Sequence, residues 1–166
     1  MGLFHDVFHS TNIHRSEAGC PAWPEPPSAK SPSAVDSEHA LLGAILLDPR
    51  QMLAVVEVLP PGQAWFYLDA HRLVYDAILT LFERRDPIDL VSLTDVLKRR
   101  GHLEKVGGAV ALTELPESVA TTANVAFHAR LVREKFLYRS LINEGTQLTA
   151  SAYEQDEVPA ILGQAH

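Results

Sequence analysis

Eight histidines and a single cysteine are the residues of this sequence that could hold a metal ion or move a proton near neutral pH. His5 and His9, four positions apart, would share one face of a helix, and His14 and Cys20 follow in the same N-terminal stretch. A structural zinc site needs four such ligands in tetrahedral array, oriented by a second layer of hydrogen bonds. Irregular spacing in a proline-rich arm supplies neither, so these residues are expected to be polar surface and not ligands. His71 with Asp76, and His128 with Glu134, have the residue types of acid/base pairs. Each pair falls on an expected helix without a nucleophile or Gly-rich loop nearby, and all four residues are read as surface helix positions. No G-x-x-x-x-G-K-[ST] segment occurs, so no Walker loop can cradle phosphates and set a lysine on them. No catalytic, cofactor-binding or metal residue is therefore assigned.

The cations tell more than the histidines. Lys98, Arg99 and Arg100 crowd the last turn of an expected helix, where positive charge suits the helix dipole, and are read as a solvated turn and not a phosphate site. Arg130, Arg133, Lys135 and Arg139 lie along a long helix and could pair with acids of a second subunit or a partner protein, or stay solvated. Contact with DNA is the weakest reading of them. The chain carries a net charge of -7, and residues 36–119 alone hold 8 Lys and Arg against 13 Asp and Glu. Phosphate neutralisation supplies most non-specific affinity for nucleic acid, so direct DNA binding by this region is disfavoured. A lone cysteine forms no internal disulfide, and no run approaches the roughly 18 apolar residues of a bilayer span. A cytoplasmic location is the expectation.

These residues need elements to position them, and the pattern is helical throughout. Residues 1–35 form an arm whose second half, with Pro21, Pro24, Pro26, Pro27 and Pro32, favours an extended, flexible path. From Ser37 apolar residues become dense and helically spaced. Ser37–Leu47 leaves almost no polar face and is expected to be the central core helix, with Gly43 marking a close backbone approach. Met52–Val58 forms a second helix, ending before Pro60-Pro61-Gly62. A third runs from Asp69, a candidate cap, to Arg85, burying Ala70, Val74, Ala77, Ile78 and Leu81. Ser92-x-x-Asp95 resembles a capping box ahead of a helix to Arg100, and Gly107-Gly108 opens a short helix through Leu115. A long helix from Thr122 or Ala123 to Tyr153 carries two stripes on nearly opposite sides. One is Phe127, Leu131, Tyr138, Ile142 and Thr149, and the other is Val125, Val132 and Phe136. One stripe can pack on the domain while the other meets a partner. A second hairpin helix is expected from Asp156 or Glu157, with Pro159 in its first turn, and remains incomplete at His166. The fold class is all-α: about six short helices in a compact bundle over 36–120, then a truncated helical hairpin over 121–166, with no ATPase domain.

Three blocks, SEHALLGAILLDP, AHRLVYDAILTLFERRDPIDLVSLTDVLKRRGHLEKVGGAVALTEL and ATTANVAFHARLVREKFLYRSLI, resemble in order and spacing the N-terminal domain of the DnaB-type replicative helicases. The resemblance runs from about Val35 to Leu148. It implies a non-catalytic collar domain whose helical hairpins pair between subunits into a dimer or ring, and around which the C-terminal domain of primase docks. A helicase loader is a further implied partner, and DNA is reached only indirectly. The expected interface residues, for self or primase, are Leu131, Arg133, Phe136, Leu137, Tyr138, Arg139, Leu141, Ile142 and Leu148. ATP and Mg belong to the motor of a full-length parent, so no cofactor is expected in this chain. Gly62–Tyr67 departs from the family pattern as a slightly longer loop, and the His-containing arm has no counterpart in it. An alternative role is a freestanding truncated homologue that regulates a full-length helicase ring.

Overall fold

A computed structural model of the chain describes residues 31–119, 121–153 and 163, among which six α-helices and no strand are found. The arm through residue 30, with His5, His9, His14 and Cys20, and the expected second hairpin helix from Asp156, lie outside the described residues.

Helix α1 (Val35–Leu47) is the centre of the fold. Leu41, Leu42, Ala44 and Ile45 are all buried because helices pack on more than one side of it, as a helix without a polar face requires. Asp48 then turns the chain, its carboxylate accepting from the Arg50 backbone N–H at 3.2 Å, and Pro49 opens a 3-10 turn over Pro49–Gln51. Helix α2 (Met52–Val58) follows directly and buries Met52 and Val55.

Helix α3 (Asp69–Arg84) buries Val74, Ala77, Ile78 and Leu81 of the expected stripe, leaves Ala70 half-buried, and ends in a left-handed residue, Arg85, at φ 61°. The reversed bond from Asp86 N to Leu81 O, 2.9 Å, closes that end. Helix α4 (Leu90–Arg99) packs beside α3 through Leu93, Val96 and Leu97. Its cap differs from the expected Ser92 box. Asp89 takes the position, its Oδ1 accepting from Ser92 N at 2.8 Å, so the helix starts one turn earlier than the sequence pattern suggested.

Gly107 enters α5 (Gly108–Glu117) at φ 91°, a left-handed conformation that a side chain would strain. Helix α5 then lies so close to α1 that a Cβ built on Gly43 would stand 2.1 Å from Leu115 O. The close approach expected at Gly43 is therefore real, and its partner is the backbone of α5.

Helix α6 (Val125–Tyr153) has 29 residues and is about 43 Å long at 1.5 Å per residue. Helix α1, with 13 residues, is about 20 Å long by the same rise. The core can therefore cover only the first part of α6. Val125, Ala129 and Val132 are buried against it, whereas no described residue after Val132 is fully buried.

Candidate functional site

The two stripes of α6 meet different environments. Val125, Ala129, Val132 and half-buried Phe136 recur three or four residues apart and pack on α1 and α2. On the opposite face Phe127, Tyr138 and Ile142 are exposed, with Leu131 half-buried beside them. Leu137 and Leu141 flank this face and are also exposed, Leu141 by 69%. Farther along, Leu148 is half-buried, while Tyr153 is 84% exposed. Contiguous exposed apolar surface of this kind is uncommon on a soluble monomer and marks contact surfaces.

Arg133 is exposed on this helix, and Lys135 lies 3.7 Å from Glu134 with its ammonium 5.5 Å from the centre of the Tyr138 ring. Phe136 and Arg139, expected at the interface, face inward. The Phe136 ring meets Trp65 edge-on with centroids 4.7 Å apart. Arg139 donates from Nη1 to Pro32 O at 2.8 Å and from Nη2 to Trp65 O at 2.7 Å. Its guanidinium lies over the rings of Tyr67, at 5.6 Å, and Phe136, at 6.0 Å. Burial pushes the Arg139 pKa down, opposed by the negative charge of Glu38. Helical geometry explains the difference: both residues follow Val125, Ala129 and Val132 at three- or four-residue steps and so fall on or beside the core face.

The loop that Arg139 holds is bolted from its other side as well. Glu38 of α1 is 1% exposed. Its carboxylate accepts from Tyr67 N at 2.6 Å and Leu68 N at 3.4 Å, and lies 3.0 Å from His71 Nδ1. Leu68 caps α3, so a carboxylate from another helix sits at the positive end of the α3 dipole, where charge and unpaired N–H groups both favour it. Asp69, the expected cap, makes no side-chain cap bond. His71 is likewise corrected from a surface residue to a buried one, because a carboxylate 33 positions earlier supplies its partner. Asp76 and Glu134 are exposed, as expected, while His128 is half-buried and its Nδ1 has no partner among the described residues.

The outer side of α6 is thus an exposed, largely apolar face. Among the described residues no group of three or more His, Cys, Asp or Glu could hold a metal, and no helix is long and apolar enough to cross a membrane. Two features were missed in the sequence, the Glu38 seat and the Arg139 clamp. The only available signals were a carboxylate inside an otherwise apolar helix and an arginine at a core-side position. Phe127, placed in a stripe but not among the expected interface residues, belongs to the exposed face.

Comparison with known proteins agrees with this architecture. The replicative DNA helicase DnaB of Geobacillus stearothermophilus is 38% identical over 135 residues, 81% of this chain and 29% of that protein. The replicative DNA helicase DnaC of Bacillus subtilis is 39% identical over the same length and coverage. The chain thus spans about three-tenths of these relatives. The crystal structure of the N-terminal domain of DnaB helicase from Mycobacterium tuberculosis superposes with a TM-score of 0.77 at 38% identity, covering 82% of this chain and 96% of that one. A DnaB-like replicative helicase whose structure was described together with its interactions with primase aligns with a TM-score of 0.64 at 26% identity, over 80% of this chain and 30% of that one. The matched region is the non-catalytic N-terminal domain. Residues 30–134 match the family described as DnaB-like helicase N terminal domain, and the chain belongs to that family.

Proposed function

We propose that this domain is an assembly and docking module of a replicative helicase. It associates with further copies of itself through the outer face of α6 and offers the resulting surface to the C-terminal domain of primase and to a helicase loader. The observation that carries this reading is the division of α6 into a buried face and an exposed apolar one, with Leu137, Tyr138, Leu141 and Ile142 exposed on the side turned away from the core. Aromatic residues such as Tyr138 are enriched as anchors of protein interfaces, and homodimer interfaces are more apolar than the rest of a protein surface. Leu131, Arg133 and Leu148 border the face, whereas Phe136 and Arg139 support it from within. Primase enters as a partner because a structurally similar helicase is described with its primase interactions.

The test is the mass in solution and the heat of primase binding. Light scattering over a range of concentrations should show an oligomer for the native chain and a monomer for a Leu141→Asp/Ile142→Asp variant. Both positions are more than half exposed, so the variant should keep its fold. Calorimetric titration with the primase C-terminal domain should give saturable binding that the same variant weakens. A chain that is monomeric at every concentration sinks the assembly reading. Absence of heat with primase, for both this chain and a full-length helicase, sinks the docking one.

A further inference from the structure

We propose that Arg139 is a latch that sets the direction in which α6 leaves the domain, and so governs self-association from inside the fold. The inference rests on the proposed assembly role for its consequence, but not for its mechanism.

The geometry is unusual for a surface helix. Among the described residues, Arg139 is the last of α6 with a polar bond to another segment of the chain. It reaches two segments that are not helical. Pro32 O lies just ahead of α1, and Trp65 O lies in the loop between α2 and α3. A guanidinium presents its donors in a rigid planar fork, so two carbonyl acceptors define an orientation that one would not. The rings of Tyr67 and Phe136 line the same guanidinium, which limits its sliding.

The loop that carries the Trp65 acceptor is itself held in place. Tyr67 N is held by the buried Glu38 carboxylate, and the Trp65 indole donates to Pro60 O at 2.8 Å. The loop is thus pinned to α1 on one side and to α6 on the other. Past Arg139, Leu141, Ile142, Asn143, Glu144 and Gly145 are all exposed, and none of the described residues beyond it is fully buried, so packing among the described residues offers little resistance to bending beyond the latch. Small angular freedom there becomes large displacement at the far end, because Tyr153 is fourteen residues, about 21 Å, beyond Arg139. A contact face carried on a swinging arm loses affinity through the ordering it requires on binding.

The experiment separates direction from association. In a Cys20→Ser background, spin labels at Leu53→Cys on α2 and Thr149→Cys on α6 report the distance between the domain and the outer helix, diluted with unlabelled chain to suppress intermolecular signal. The native residue at 139 should give one narrow distance distribution. Arg139→Gln should broaden it at least about twofold and weaken self-association about tenfold. Arg139→Lys, which keeps the charge but not the fork, should fall between them. Equal widths for native and Arg139→Gln chains, at retained helical content, overturn the latch. Should Arg139→Gln fail to fold, the Lys variant decides on the same criterion. Should the native chain prove monomeric, the assembly reading fails while the distance distribution still judges the latch.

Discussion

Replacing Gly43 by alanine adds one methyl group to α1 where α5 crosses it most closely. The new Cβ would lie 2.1 Å from Leu115 O and 2.7 Å from Val119 Cγ2. Restoring ordinary contact at 3.4 Å or more requires an opening of about 1.3 Å. The nearest obstacle is backbone inside a helix, so it cannot turn aside as a side chain tip would. Leu112 and Leu115, which α5 buries in the core, must move with it. A gap of ~0.5–1 Å already forfeits a quarter to a half of a dispersion contact, and overpacking a core costs about 1–3 kcal/mol or somewhat more. The helix-forming advantage of alanine over glycine returns about 1 kcal/mol. Since both contacts are well inside van der Waals range, a net loss of about 2 kcal/mol is expected. Urea unfolding at unchanged slope measures it. Gly145, also in a helix but with nothing within 4 Å of its added Cβ, is the control. Gly145→Ala should slow amide exchange in outer α6, in keeping with a gain of about 0.5–1 kcal/mol. If Gly43→Ala unfolds at or above the native urea midpoint, the reasoning from helix contact is wrong.

Glu38→Ala removes the acceptor for Tyr67 N, Leu68 N and His71 together, leaving buried polar groups unpaired; thermal or urea unfolding should register a loss of about 3–5 kcal/mol. Tyr75→Phe strips the hydroxyl that donates to Leu59 O at 2.7 Å, and the same unfolding assay should show about 1–2 kcal/mol. Hydrogen bonds from Arg50, then Gln51, hold the Asp48 carboxyl down from its ordinary 3.8 to about 2. Because the folded value is the lower one, the associated stability is present above the unfolded value near 3.8 and is lost as pH falls through about 2. An NMR titration of the Asp48 carboxyl should find that midpoint, and Arg50→Ala should move it back towards 3.8. Asp89 is likewise held below the usual carboxylate range, by the Ser92 N–H. Asp89→Ala should cost about 1 kcal/mol above pH 4, and progressively less as pH falls through the depressed folded value, in unfolding series run at both pH extremes.

Much of this protein is determined by sequence alone. Helical periodicity suffices to find α2, α3 and α6 within a few residues, because each buries a stripe whose spacing is set by 3.6 residues per turn, and the dense apolar run that stops at Asp48-Pro49 finds α1. The same period separates Val125 and Val132 from Phe127 and Tyr138, so the existence of an inner and an outer face on α6 needs no coordinates. Gly43 signals a close approach because a glycine amid Leu and Ile otherwise weakens a helix. Only the tertiary structure decides what lies beyond a helix's own register. Glu38 and His71 are 33 positions apart, and Arg139 and Pro32 are 107 apart. No local pattern encodes such pairs, since burial creates their need for partners and the fold alone chooses which partners are near. Sequence thus establishes that α6 has an inner and an outer face, and the packing of α1, α2 and the 60–68 loop decides which of its residues are spent inside.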